Sequence, residues 1–359
     1  MPSIALERGD VIVGVDTHKD EHVAVAIDGL GGRLGDLAIA ANPAGYAELT
    51  AWAAELGAVA AFGVEGTGSY GSGLARNLRR NGLKVIEVSR PPRKGERRLS
   101  GKSDTIDAEH AAREVLAGTA TATPKLADGV VEAIRLVKIA RDTAVKAHST
   151  AMITLKATLV TATDELRCDL EPLTDFKLVT ACAALSADGE MTDPTAAMRH
   201  VLRSLARRWL DLHEEIKVHS RHLKKLTKTA APDLVAAFGI GPDIAAEMLV
   251  TAGDNTDRIR SDAALAKLCG ACPIPAGSGK TNGRHRLNRG GNRQANAALY
   301  RAIIVRMRWH PPTIAYVERR TAEGLSKREI IRCLKRYLAR EIYGLLPPPS
   351  TSIALASAA

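Results

Sequence analysis

Asp104 and Asp107 stand three residues apart at the head of a helix-prone run that ends at Gly118. That spacing sends both carboxylates out of the first turn on one side of a helix. Acids at a helix start also serve as caps against its positive end, so the pair acquires chemistry only if other carboxylates converge on it. Two more stand where short buried-type strands stop. Val11-Ile12-Val13-Gly14-Val15 runs into Asp16, and Ala58 to Val64 runs into Glu65. Neighbouring strands lie ~5 Å apart, so acids at such ends can meet. Four carboxylates in one cluster would repel and raise one another's pKa, a cost that divalent cations remove. Hard oxygen ligands with open positions suit Mg²⁺, and two such ions ~4 Å apart can clamp both oxygens of a phosphoryl displacement.

A fifth candidate lies far along the chain. Ser278 sits in Gly277-Ser278-Gly279-Lys280, followed by Arg284, Arg286, Arg289 and Arg293. Gly279-Lys280-Thr281 ends like a phosphate-binding P-loop, but the first glycine of that motif would fall on Ile274 and no apolar strand precedes it. An ATP site is therefore excluded there. A serine among glycines and arginines is either a phosphate contact or a nucleophile, and its surroundings alone leave both open.

The elements that must position these residues follow a clear order. Val11–Asp16, Val23–Ile27 and Arg33–Ala40 read as an antiparallel meander, then come a helix from Pro43 to Gly57, a strand to Val64, a helix through Arg80 and a strand from Lys84 to Val88. The order βββ-α-β-α-β, closed by the Asp104 helix, matches a ribonuclease-H-like layout over residues 1–120. Ser89 to Lys102 is a basic loop holding Arg93, Lys94, Arg97, Arg98 and Lys102, and Gly118–Gly129 reads as a linker.

Residues 121–229 read as a helical region with two long segments, Val130–Leu166 and Thr195–Thr229. The second repeats Met198, Leu202, Leu205, Trp209, Leu212, Ile216, His219, Leu223 and Leu226 at coiled-coil spacing. Residues 230–345 form a third, mainly helical unit. Gly239-Ile240-Gly241-Pro242 between two helices resembles a helix-hairpin-helix turn, whose backbone N–H groups would face a DNA phosphate. Helices are expected over Asn292–Trp309 and Ser326–Tyr343, and residues 346–359 read as a disordered tail.

Composition narrows the partners. The 359 residues carry 50 Lys plus Arg against 40 Asp plus Glu, a net charge of +10. From Ala263 to Val317 there is no acid, while nine Lys or Arg fall in that window. Clustered positive charge suits a polyanion. No apolar run approaches a membrane span, and five irregularly spaced cysteines fit a reducing cytoplasm. Cys269 and Cys272 form a CxxC without a second pair at zinc-finger spacing, which favours buried thiols over a metal site.

Six stretches together resemble a known family: Gly14-Val15-Asp16-Thr17-His18-Lys19, Val64-Glu65-Gly66-Thr67-Gly68-Ser69-Tyr70, Lys102-Ser103-Asp104-Thr105-Ile106-Asp107-Ala108, Gly239–Pro242, Gly277–Lys280 and Arg289-Gly290-Gly291-Asn292-Arg293. They are similar to the DEDD-type insertion-sequence transposases, relatives of the Piv invertases and of bridge-RNA-guided recombinases. The resemblance implies a RuvC-like domain whose Asp16, Glu65, Asp104 and Asp107 bind Mg²⁺ (or Mn²⁺). It also implies a helical coiled-coil arm and a C-terminal transposase domain whose Ser278 attacks DNA to form a phosphoserine. The implied partners are donor and target double-stranded DNA, a structured guide RNA and other copies of the chain, as a dimer to tetramer, in the cytoplasm at the nucleoid. One departure is Cys272-Pro273-Ile274-Pro275-Ala276, where relatives are more polar. Rival readings are an actin-like ATPase, which lacks its second phosphate turn here, a RuvC-like nuclease working without the serine, and a non-catalytic nucleic-acid binder.

Overall fold

The computed structural model describes residues 9–89, 103–186, 188–279, 285–287 and 290–348. They fall into two compact units: the described residues up to Gly129 together with Ala252–Arg260, and Val130–Thr251 together with Ser261–Pro347.

In the first unit, β1 (Asp10–Thr17), β2 (Glu21–Asp28), β3 (Arg33–Ala40), β4 (Ala58–Glu65) and β5 (Val85–Val88) form one sheet in the order β3-β2-β1-β4-β5. The meander is antiparallel, while β1–β4 and β4–β5 run parallel. Val11, Val13 and Val15 alternate with Ile12, Gly14 and Asp16, so β1 presents a different set to each face. On one face lie α1 (Pro43–Leu56) and α2 (Ser72–Arg80), which bury Tyr46, Leu49, Leu74 and Leu78 against the valines. On the other lies α3 (Asp104–Leu116), which buries Ala108, Ala111, Ala112 and Val115 against Ile12, Val25 and Ala61.

Two glycines let α3 sit close. A Cβ on Gly14 would stand 2.0 Å from the Ala108 carbonyl, and one on Gly63 would stand 2.9 Å from that of Ala111. Each glycine precedes an acid of its strand by two residues, Asp16 and Glu65, and so shares that acid's face of the sheet.

Gly118–Gly129 is not a free linker. Glu87 N–H donates to the Ala122 carbonyl at 2.7 Å on the outer side of β5. Arg79 and Asn255 both donate to the Pro124 carbonyl, Arg258 donates to that of Thr123, and Leu126 N–H donates to the Asn255 side chain. The segment is a strap whose fasteners come from α2 and from residues 252–260.

In the second unit, α4 (Val130–Val160) packs along α7 (Pro194–Ala230). The first long helix stops at Val160 rather than Leu166, because Thr163 turns extended and starts a new helix, α5 (Asp164–Leu170). Together with α6 (Asp175–Ala183), α5 covers Leu155, Leu202 and Trp209. Among the expected seam positions, Leu202, Trp209 and Leu223 are buried, while His219 is half-exposed beside Glu215.

The remainder of this unit comprises α8 (Pro232–Ala236), α9 (Pro242–Ala252), α10 (Asp262–Leu268), β6 (Pro273–Pro275) paired with β7 (His285–Leu287), α11 (Arg293–Trp309), α12 (Pro311–Ala322) and α13 (Lys327–Leu345). Ser326 caps α13 through a reciprocal bond with Glu329. Buried Lys138 of α4 bonds Asp142 and Asp243 and lies 3.4 Å from Glu247, which ties α4 to α9. No described helix is long and apolar enough to cross a membrane.

Candidate metal centre

Parallel pairing of Val15 with Val64 puts the next residues, Asp16 and Glu65, side by side where β1 and β4 stop. Both acids are largely buried, and the Thr17 hydroxyl fastens the two strand ends by donating to the Glu65 carbonyl at 3.1 Å. Helix α3 runs back over Gly14 from this end of the sheet, so its first turn overhangs the strand termini. Ser103 is extended and starts the helix, Asp104 is its first residue, and Asp107 follows within the first turn.

A residue that the spacing of acids did not reveal completes the grouping. His18 Nε2 lies 3.2 Å from Asp16 Oδ2 and 3.4 Å from Asp104 Oδ1. Asp16, His18 and Asp104 each offer one ligand atom, all within 4.8 Å of one another, and this is the one such group of three among the described residues. Asp107 lies within Coulombic reach of Asp16, while Glu65 and Asp107 stay outside the group of three. The sequence signal for His18 was its position two residues beyond Asp16. Its closure onto the acid depends on a turn in which His18 N–H donates to the Glu21 carbonyl. Another histidine, His22, is fully buried on the opposite face and stacks on Tyr46, which keeps it out of the group.

Burial pushes the Asp16 carboxyl above its ordinary range; His18 opposes this, while Asp107 and Asp104 add to it. A carboxylate desolvated beside two others is poorly satisfied by protein alone, and a cation is the natural complement. Two carboxylates and an imidazole within one ligand sphere are a donor set that fits a divalent ion. The residues present therefore fit a divalent ion.

The other candidates lie elsewhere. Ser278 is exposed in the second unit, three residues beyond β6. Arg286 is exposed on β7, and Arg293 is exposed at the start of α11, where Asn292 provides the cap. Gly239 adopts a positive φ of 75° beneath Arg306, which donates to the Phe238 carbonyl. Gly241 is exposed with open space around it. Arg93, Lys94, Arg97, Arg98, Lys102, Lys280, Arg284 and Arg289 lie outside the described residues. In the CxxC, Cys269 is fully buried with its thiol pushed up to about 12, and Cys272 is half-buried, as expected of packed thiols.

Residues 13–163 match a transposase model of the DEDD, IS110 type, and residues 233–318 match that of the IS116/IS110/IS902 transposase family. The chain is 27% identical over 165 residues, 45% of its length, to an uncharacterised 43.6 kDa protein of insertion element IS110 from Streptomyces coelicolor. It is likewise 27% identical over 108 residues, 30% of its length, to an uncharacterised 42 kDa protein of insertion element IS900 from Mycobacterium paratuberculosis. These matches span 40% and 27% of the relatives' own lengths. The family match over residues 13–163 takes in most of the five-stranded sheet with its acids, and that over residues 233–318 takes in Ser278. Matched in both halves, the chain belongs to the IS110/IS116/IS902 family of DEDD transposases.

Proposed function

We propose that this chain is a DNA transposase that cuts and rejoins strands through a Mg²⁺-binding acidic cluster and a serine nucleophile. One observation carries the reading: Asp16, His18 and Asp104 share a single ligand sphere at the strand ends, with Asp107 and Glu65 beside it, in a chain matched in both halves by transposase families. Asp16, Glu65, Asp104 and Asp107 would hold the metal, which supplies positive charge to a scissile phosphate. His18 lies across Asp16 and Asp104 and holds their carboxylates toward one point.

Ser278, exposed in its Gly-rich loop, supplies the nucleophile. Its Oγ forms a bond to phosphorus and gives up its proton, while the bond from phosphorus to the departing strand oxygen breaks and that oxygen takes up a proton. The new phosphoserine keeps the energy of the original diester, so the reverse step reseals DNA without ATP. The exposed Arg286 and Arg293, with Gly239 and Gly241, are contacts for the DNA backbone. A structured RNA encoded by the element is the guide, and copies of the chain assemble as a dimer to tetramer on donor and target DNA.

The test is a trap for the covalent adduct. Ser278→Ala should abolish adduct, cleavage and joining together. Metal-dependent cleavage that persists in Ser278→Ala would replace this reading with direct hydrolysis by the acidic cluster.

A further inference from the structure

The second unit carries an open cleft of about 810 Å³ between α11 and α13 of which the chemistry above uses only Arg293, at its rim. Its volume is that of a small-ligand site. Four cations line it, Arg293, Arg328, Arg332 and Lys335, and no carboxylate does. Four other cations on the same two helices have partners: Arg301 holds Asp243, Arg306 holds Glu341, and Arg336 and Arg340 both hold Asp262. Among the described residues, none of the four in the cleft forms such an ion pair, and Arg332 has only Coulombic reach to Glu329. Like charges gathered in a concavity without counter-charge favour an anionic ligand.

One wall of the cleft is preorganised. The Lys335 ammonium donates to Asn296 Oδ1 at 2.8 Å, and the Asn296 amide donates in turn to the Cys269 and Gly270 carbonyls. Asn296 is fully engaged, so it fixes the lysine. Lys335 also sits 5.2 Å from the centre of the Tyr300 ring, which is nevertheless 46% exposed. An exposed aromatic ring among four cations without a carboxylate partner matches the needs of a strand with an unstacked base: cations for consecutive phosphates, a π-face for the base. A duplex keeps its bases stacked on one another and has nothing to lay on Tyr300.

We propose that the cleft between α11 and α13 binds an unpaired stretch of nucleic acid, with phosphates on Arg293, Arg328, Arg332 and Lys335 and one base stacked on Tyr300. The proposal rests on the recombinase reading only in taking nucleic acid as the ligand; it requires neither Ser278 nor the acids.

The experiment measures fluorescence anisotropy of the full chain with labelled single strands of about 12 nucleotides, as DNA and as RNA, and with the matching DNA duplex. Tyr300→Ala should weaken single-strand binding about tenfold and leave duplex binding within about twofold, while Tyr300→Phe binds like the parent. Arg328→Gln should lower the slope of log affinity against log salt for single strands by about 0.7. The DNA and RNA arms identify which strand the cleft prefers, and a preference for either is consistent. Unchanged single-strand binding in Tyr300→Ala, an equal loss for duplex, or no single-strand binding by the parent overturns the proposal. Binding is read in EDTA, without cleavage, so failure of the cleavage chemistry and failure of the cleft are read separately.

Discussion

Gly14→Ala tests whether the close seating of α3 creates the acidic site. The new methyl would lie 2.0 Å from the Ala108 carbonyl oxygen and 2.4 Å from the Ala112 nitrogen, both backbone atoms that no rotamer change can move aside. Restoring ordinary contact near 3.4 Å requires about 1.4 Å of separation between helix and sheet. Overpacking of this kind costs about 1–3 kcal/mol. Because α3 carries Asp104 and Asp107 on its first turn, the same shift pulls them from Asp16 and His18, and displacement on this scale can cost about a hundredfold in rate. Gly68→Ala is the control, since it lies close to Glu65 in sequence and a Cβ there meets nothing within 4 Å. Urea denaturation and Mn²⁺ titration of parent, Gly14→Ala and Gly68→Ala separate the cases. Parent-like stability and parent-like metal affinity in Gly14→Ala would refute the argument that the glycine sets the site.

Asp16→Asn should stabilise the metal-free protein yet abolish any rise in melting temperature on adding Mg²⁺. The Asp16 carboxyl is held above its ordinary range, so its penalty is present at pH above its folded-state pKa and fades as pH falls through that value. Melting curves with EDTA and with Mg²⁺, at pH 7 and near pH 4, check both signs. Asn255→Ala should destabilise the first unit by about 2 kcal/mol, because it removes the acceptor of Leu126 N–H and leaves the Pro124 carbonyl to Arg79 alone. Hydrogen exchange should show faster exchange at Leu126 than in the parent, and unchanged protection there would count against the strap.

Much of the first unit was legible because a buried strand writes itself as an apolar run, and an acid that ends such a run stands out. Asp16 and Glu65 could be placed at neighbouring strand ends on that basis, and Asp104 and Asp107 at a helix start. Their actual approach depends on Gly14 and Gly63, whose role appears only once α3 is docked. His18 escaped because a turn, not a period, brings it back to Asp16. Gly118–Gly129 looked like a linker from its Thr, Ala and Pro content, and its partners Asn255 and Arg258 lie some 130 residues away in sequence. Short helices such as α5 and α6 were missed since their apolar faces acquire meaning only against Trp209.

The fastening of the strap by Asn255 and Arg258 has a consequence during synthesis. A ribosome finishes Gly129 well before it reaches these two residues, and at about 5–20 residues per second the interval is on the order of ten seconds. Through that time the nascent sheet has its acids, and the segment running past β5 has Arg79 but not the two later side chains that complete its fastening. A gene copy truncated between these points would yield a protein with every acid of the cluster and a strap held by Glu87 and Arg79 but not by Asn255 and Arg258.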